Sequence, residues 1–359
     1  MPEKKSPGQS VEITISWATI FKILAACVLA LMAVRLWSLL ELLFLSLLIA
    51  ITLLPIVKCA RNRGWPRWVG VSIAAFLVLA FLAIFFGVLI PALIGQAGGL
   101  IKNLPAIKEE LLQRLPAGSI RGTINRLLDA GSFSNPEPLL KEFLGWGSKA
   151  LQGILAFFLV VVVAIYFLSD GERVYQWILA FLPPAHRRKM AAAAPEIAGV
   201  VSSYMIGQLI TSVLCSVYVF VVLIILHVPA ALLLAALAGV FDILPLIGFF
   251  LTIVPTAALA MTVSPVAAGV VIVLYAAYHL VENYFVVPKV YGDRLRLSTL
   301  TVLVSCLAGA LLAGIVGAIA VLPIVASYPI VERIWLRPHL EDDTVARHEE
   351  LEEKEHPGG

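Results

Sequence analysis

Long apolar stretches alternate with short polar segments along most of the chain, and their lengths predict membrane-spanning helices. A helix needs about 20 mainly apolar residues to cross a hydrocarbon core about 30 Å thick. Six stretches have a suitable length: 17–36, 38–57, 69–94, 149–169, 200–226 and 265–287. We expect a tight turn near Arg35–Trp37 between the first two. The pattern therefore predicts an all-α polytopic membrane protein with about six full spans.

Two further apolar stretches, 230–263 and 298–336, are too long for a single crossing. The 34 residues of 230–263 would form a straight helix about 51 Å long. Each stretch contains helix-breaking residues near its middle: Pro245 and Gly248 in the first, and Gly309, Gly314 and Gly317 in the second. We therefore predict that each folds into a helical hairpin, either re-entrant or with two short arms.

The positions of basic residues favour the hairpins over single crossings. Short loops rich in Lys and Arg stay in the cytoplasm, which places the loop 58–68 and the segment 169–199 inside. If 230–263 crossed once, the basic loop 288–297 would lie outside. A hairpin at each long stretch keeps all these segments inside and predicts that both termini are cytoplasmic.

A span followed by a hairpin thus occurs twice, and the two copies enter the membrane from opposite sides. Pro245, Gly248 and Pro255 of the first copy have counterparts with nearly the same mutual spacing in Gly314, Gly317 and Pro323 of the second, displaced by the extra loop before the second hairpin. Inverted repeats of this kind are common in secondary transporters, where broken helices meet at a central binding site. We therefore expect a substrate site between the two hairpin tips.

The same reading divides the chain into five regions. They are a three-span region (1–94), a small extracytoplasmic cap of amphipathic helices (95–148), a fourth span with a cytoplasmic interfacial helix (149–199), a transport core (200–336) and a disordered acidic tail (337–359).

Composition supports the membrane assignment and narrows the chemistry. Apolar residues make up 60% of the chain and charged residues 14%, against roughly 45–50% and 25% in soluble domains. The four cysteines are scattered singly, so we interpret them as small core residues and expect no metal site. The chain lacks HExxH, GxSxG and Walker A motifs. We therefore predict no enzyme activity, no cofactor and no nucleic-acid partner. The energy would come from an ion gradient, with a proton or sodium as the coupling ion, or from the substrate's own gradient.

Asp242 is the leading candidate for a functional residue. A carboxylate at the centre of a membrane helix costs about 2.5–3.5 kcal/mol and usually faces a cavity. It could bind an ion, a proton or a polar solute, or it could cap free N–H groups of the hairpin turn near Leu244 and Leu246. The two roles are compatible. Pro245 and Gly248 would shape the site beside it, with Gly314 and Gly317 opposite.

Four other polar residues in the apolar spans are candidates. His279 and Glu282 are three residues apart on one helix face, with Asn283 adjacent, and could form a proton relay or a cation site. They could equally anchor the helix at the cytoplasmic interface near Lys289. Gln208 could make a polar contact in the cavity, although close helix packing also explains this position.

Several segments together resemble the autoinducer-2 exporter (AI-2E) family of transporters. They are "YFLSDGERV" (166–174), "LPPAHRRKM" (182–190), "SSYMIGQL" (202–209), "FDILPLIGFFLTIVP" (241–255), "ENYFVVPKVYGDRLRLSTL" (282–300) and "GIVGAIAVLPIVA" (314–326). Phe249 stands where the family commonly has proline. The resemblance implies a multi-span transporter with an extramembrane region between the third and fourth spans. Members are linked to autoinducer-2 export, and others to sodium(lithium)/proton antiport.

Three functions follow as expectations. The first is a gradient-driven secondary transporter that exports a small polar metabolite such as an autoinducer-2-like signal. The second is a sodium(lithium)/proton antiporter using the same carboxylates. The third is a non-transporting membrane scaffold. In each case we expect a multi-pass protein of the bacterial inner membrane, in contact with lipid and forming a homo-oligomer of unknown number.

Overall fold

The structure is a computed structural model. It describes residues 17–339 except scattered positions between 18 and 34 and the segments 115–118, 131–136, 245–246, 288 and 290–298. The chain forms two compact units, Met1–Phe44 and Leu45–Gly359. Nearly all described residues are helical, and no strand occurs among them. The predicted all-α fold is confirmed.

Twelve α-helices occur in the described part of the chain. They are α1 (Trp37–Asn62), α2 (Arg67–Ile84), α3 (Ile90–Lys102), α4 (Leu104–Arg114), α5 (Ser119–Ala130), α6 (Glu137–Ala180), α7 (Pro184–Ile225), α8 (Ala231–Phe241), α9 (Ile247–Val263), α10 (Pro265–Val281), α11 (Thr299–Ala326) and α12 (Tyr328–Val331). Wider π-helical turns follow α2 (Phe85–Leu89), α10 (Glu282–Val286) and α12 (Glu332–Leu336).

Five helical segments in the described residues are long and apolar enough to cross a membrane, or six if one bent pair is counted as a span. The five are Trp37–Asn62, Arg67–Lys102, Gln152–Ala180, Pro184–Ile225 and Pro265–Val286, and the bent pair is Val316–Ala326 with Tyr328–Leu336. The five match predicted spans two to six. The first predicted span, 17–36, falls largely outside the described residues.

A turn lies where the sequence predicts it near Arg35–Trp37. Leu36 is a turn residue between helical Arg35 and the first residue of α1, Trp37. Leu36 donates its backbone N–H to the Met32 carbonyl at 2.8 Å, and its own carbonyl accepts the Leu40 N–H at 2.9 Å. That this turn separates two membrane spans stays a prediction, because the first span falls largely outside the described residues.

The first over-long stretch forms a short-armed hairpin, as predicted. Arm α8 has 11 residues and arm α9 has 17, which gives lengths of about 17 and 26 Å. The arms pack against each other, and Gly248 lies so close to the end of α8 that an added Cβ would stand 1.9 Å from the Phe241 carbonyl oxygen. Only a residue without a side chain allows this approach. Pro245 lies outside the described residues.

The second over-long stretch also reverses direction. Gly314 has φ +59°, a left-handed conformation that glycine adopts readily, and neighbouring Ala313 is also non-helical. The Cys306 Sγ lies 3.7 Å from the Ala318 carbonyl oxygen, whereas twelve residues of straight helix would separate them by about 18 Å. Both hairpin reversals are therefore present. Their inverted relation across a membrane stays a prediction.

Helix α7 is the central element of the fold. It packs against α8, α10 and α11, so both hairpins contact it. The main core lies where α7 to α10 meet, and its fully buried members include Cys215, Val219, Leu223, Leu234, Ala235, Ala238, Ala260, Ala268, Val271 and Tyr275. Helix α10 begins at a strong start signal, because the Ser264 hydroxyl accepts the Ala267 N–H at 2.9 Å and Pro265 occupies the first helical position.

The region predicted as an extracytoplasmic cap contributes helices α4 and α5, and it contacts the start of the first hairpin. The Gln96 side-chain oxygen accepts the backbone N–H of Leu233 at 3.0 Å, which satisfies a free donor in the first turn of α8. Leu100 packs against the main core, and α4 contacts α9. These contacts connect the cap to the hairpin that carries Asp242.

Candidate functional site

The site is built on one face of α7. Tyr204, Gln208, Ser212 and Cys215 follow one another at intervals of four, four and three residues, which places them along a single helix stripe. Gln208 Nε2 donates to Ser212 Oγ at 3.3 Å, so the polar groups of the stripe are linked to each other. This stripe faces both hairpins.

Asp242 is the first residue after α8, and its carboxylate is bound by this stripe. Ser212 Oγ donates to Asp242 Oδ2 at 3.1 Å. Gln208 Nε2 lies 3.5 Å from the same oxygen and 3.4 Å from the Asp242 backbone carbonyl. The alternative that Asp242 caps Leu244 is wrong, because the Leu244 N–H donates to the Phe241 carbonyl at 2.8 Å. Leu246, the other proposed target, lies outside the described residues.

His279 and Glu282 form a buried pair near the end of α10. His279 Nδ1 lies 3.0 Å from Glu282 Oε2, and the exposed fractions of the two side chains are 19% and 6%. The other ring nitrogen, His279 Nε2, is buried and has no hydrogen-bond partner among the described residues. Burial of Glu282 argues against the simple interfacial anchor that the sequence left open. Lys289, the expected neighbour at that interface, is exposed.

The structure brings Asp242 and His279 together with a third group, Cys215. A carboxylate oxygen of Asp242, a ring nitrogen of His279 and the Cys215 Sγ all lie within 4.8 Å of one another. The three side chains come from three elements: the hairpin turn after α8, the helix α10 and the helix α7. We call these three residues together with Glu282 the polar cluster.

Aromatic rings surround the polar cluster. The centroid of the His279 ring lies 4.9 Å from that of Phe249, 5.1 Å from that of Tyr275 and 5.8 Å from that of Tyr278. The Thr252 hydroxyl and the Tyr275 hydroxyl lie 2.5 Å apart, which fixes the Tyr275 ring. Polar groups in such an apolar shell interact more strongly than they would in water.

The second hairpin reaches the same stripe of α7 one turn away. Tyr204 packs in a cluster with Cys306 and Leu322 of that hairpin. The Tyr204 hydroxyl also donates to Gln208 Oε1 at 3.5 Å. A continuous series of contacts therefore runs from the second hairpin through Tyr204 and Gln208 to Asp242.

Of the other predicted residues, Gly314 and Gly317 lie in the second hairpin, and Asn283 follows Glu282 just after α10. Gly317 packs against Gly309, where an added Cβ would stand 2.1 Å from the Gly309 carbonyl oxygen. Gly314 forms the exposed bend of that hairpin. Asn283 is exposed and donates to the His279 carbonyl at 2.8 Å, so it covers the helix surface instead of facing the cluster.

Sequence reasoning missed Ser212 and Cys215. The available signal was their helical spacing from Gln208, which places all three on one face of α7. The cysteines were interpreted together as core residues. Cys306 fits that interpretation, since it packs in the second hairpin. Cys215 is buried as well, but beside a carboxylate and an imidazole.

Comparison with known proteins identifies the family. The sequence profile of the AI-2E family of transporters matches residues 20–335 of this chain. The chain belongs to this family. The resemblance seen in the sequence is thereby confirmed, and the chain is a multi-pass membrane protein of a transporter family.

Three AI-2E relatives, each named a "Putative transport protein", are similar over most of the chain. YrrI from Bacillus subtilis (strain 168) is 25% identical, covering 85% of this chain and 90% of its own. A protein from Haemophilus influenzae (strain ATCC 51907 / DSM 11121 / KW20 / Rd) is 27% identical, with 80% and 84% covered. YhhT from Escherichia coli (strain K12) is 25% identical, with 82% and 83% covered.

Proposed function

We propose that this AI-2E family member is a gradient-driven secondary transporter that exports a small polar metabolite, with autoinducer-2-like compounds as one class of cargo. Asp242 binds the coupling ion or the solute. The observation that carries the proposal is the placement of the Asp242 carboxylate at a turn between two apolar helices, where it is half-buried and held by Ser212 and Gln208. A carboxylate in such surroundings is expensive and is usually kept for a function.

The mobility that transport requires would come from the hairpin itself. Alternating access in many secondary transporters moves one helical unit against another around a fixed site. Here Asp242 sits on the short turn after α8, whereas its partners Ser212 and Gln208 sit on the long helix α7. Movement of the hairpin against α7 would therefore open and close the binding site directly.

Transport into proteoliposomes tests this proposal. The purified protein is reconstituted, a sodium or proton gradient is imposed, and uptake of a labelled autoinducer-2-like compound is measured. We expect Asp242→Asn to abolish gradient-driven uptake and Ser212→Ala to reduce it roughly tenfold, because a hydrogen bond to a charged group contributes about 1.5–3 kcal/mol. Asp170→Asn, which changes an exposed carboxylate, is the matched control. Uptake by Asp242→Asn equal to wild type would remove Asp242 from the mechanism.

A second candidate function is sodium(lithium)/proton antiport. The specific observation in its favour is the His279–Glu282 pair, which adds a buried carboxylate and a titratable ring to the half-buried Asp242 carboxylate. Two carboxylates and an imidazole can exchange a proton for a monovalent cation without an organic solute. A pH-sensitive dye inside the liposomes separates the two functions. A sodium-driven dye response without organic solute, lost in Glu282→Gln, supports antiport.

A further inference from the structure

We propose that Cys215, Asp242 and His279 bind a borderline-soft divalent cation of the Zn²⁺ class. A thiolate, a carboxylate oxygen and an imidazole nitrogen are the three protein ligand types that this ion prefers. In a tetrahedral site with bonds of about 2.0–2.3 Å, neighbouring ligand atoms lie roughly 3.3–3.8 Å apart. The three ligand atoms here lie within 4.8 Å of one another, so side-chain shifts of about 1 Å complete the geometry.

Glu282 supplies the outer partner that such sites require. A metal-binding histidine almost always donates its second ring N–H to a carboxylate or carbonyl, which fixes the ring and raises its basicity. His279 Nδ1 already lies 3.0 Å from Glu282 Oε2. In the part of the chain that the structure describes, His279 Nε2 is buried with no hydrogen-bond partner, so it is the nitrogen left to bind a cation. An unpartnered buried ring nitrogen is otherwise costly.

Charge balance also favours a divalent ion at this position. A thiolate at Cys215 and a carboxylate at Asp242 together carry two negative charges, and a neutral imidazole adds none. The first coordination sphere around a divalent cation therefore sums to zero, and the only further charge in the polar cluster is the Glu282 carboxylate, which His279 contacts at 3.0 Å. Three protein ligands also leave a fourth position open for water or a solute.

The comparison with Cys306 shows why Cys215 is singled out. Both thiols are buried. Within the described residues, the hydrogen-bond partner of the Cys306 Sγ is the Ala318 carbonyl, which is not a metal ligand of the kind found beside Cys215. Cys215 instead lies beside two other metal-binding groups from two other helical elements. A cation bound there would join α7, α10 and the turn after α8.

The metal site shares Asp242 and His279 with the proposed transport site, but a metal ion can bind there whether or not the transport proposal is correct. Equilibrium binding to the full-length protein is therefore the test. Tag-free protein in lipid nanodiscs is titrated with Co²⁺, whose thiolate charge-transfer absorption reports a cysteine ligand directly. Zn²⁺ is then added as a competitor to obtain its affinity.

We expect one Co²⁺ per chain with a thiolate absorption band that Zn²⁺ removes. Cys215→Ser should abolish the band, and His279→Gln should weaken Zn²⁺ binding by more than the roughly 10–100-fold that loss of an outer partner costs. Glu282→Gln, which removes the outer partner itself, should weaken Zn²⁺ binding by about 10–100-fold. Cys306→Ser, a second buried cysteine, is the matched control and should leave the band and the affinity unchanged.

Other outcomes overturn the proposal. They are no saturable binding to wild type, a band that survives Cys215→Ser, or a band lost in Cys306→Ser. The unfolding of each metal-free variant is compared with that of the wild type, so that a folding defect is not mistaken for lost binding. If Cys215→Ser is unstable, the loss of Zn²⁺ affinity in His279→Gln tests the site instead. A protein that transports no solute yet shows the Co²⁺ band supports the metal site and contradicts only the transport proposal.

Discussion

Gly248 provides the sharpest test of the hairpin geometry. It opens α9 and faces the end of α8, where an added Cβ would stand 1.9 Å from the Phe241 carbonyl oxygen and 2.6 Å from its carbon. Both atoms belong to the backbone, so no side-chain rotation can relieve the clash. Gly248→Ala must therefore separate the two arms of the first hairpin.

The size of the effect follows from these distances. Real Cβ contacts essentially never fall under 3.0 Å, so the Phe241 carbonyl must move by at least about 1.1 Å. Overpacking of this kind destabilises a well-packed core by about 1–3 kcal/mol. Because Asp242 follows Phe241 directly, the same displacement also weakens the 3.1 Å contact between its carboxylate and Ser212.

Equilibrium unfolding in mixed detergent micelles measures the change in free energy. The matched control is Gly269→Ala in α10, where an added Cβ meets nothing within 4 Å. That control should be neutral or stabilising by up to about 1 kcal/mol, since alanine favours a helix over glycine. Equal free energies of unfolding for Gly248→Ala and Gly269→Ala would refute the close approach of the two arms.

Two further predictions concern the elements around the site. Gln96→Ala leaves the Leu233 N–H without its acceptor and should cost about 0.5–2 kcal/mol of unfolding free energy, whereas exposed Gln113→Ala should change it little. Unchanged stability in Gln96→Ala would show that the cap does not hold α8. Tyr275→Phe removes the 2.5 Å contact with Thr252 and should cost about 0.5–1.5 kcal/mol in the same assay. No loss there would mean that the two hydroxyls do not bond.

Length and backbone chemistry made the hairpins predictable. An apolar stretch of 34 residues cannot cross once as a straight helix, and the sequence places Pro245 and Gly248 at its middle. The second stretch follows the same logic, and its bend falls at Gly314. A turn is also present at Leu36, within the predicted Arg35–Trp37, although that prediction rested on span length and no glycine or proline stands there.

The candidate site was only half predictable, because its residues meet through tertiary packing. Asp242, His279 and Glu282 stand out in the sequence since charged and titratable groups are rare in apolar spans. Ser212 and Cys215 carry no such signal, as small polar residues and free cysteines are common in helix interiors and cores. Their role follows only from the place where the turn after α8 meets α7.

The position of α7 between the two hairpins suggests why the site is asymmetric. Tyr204 of α7 packs with the second hairpin, and Ser212, two turns further on, binds the Asp242 carboxylate of the first. Gln208 lies between them and contacts both Tyr204 and Asp242. A series of contacts on one helix therefore joins the second hairpin to Asp242. In the proposed transport mechanism this series gives the second hairpin a route to the polar cluster, so that hairpin can act on the site with no carboxylate of its own while its glycines serve close packing.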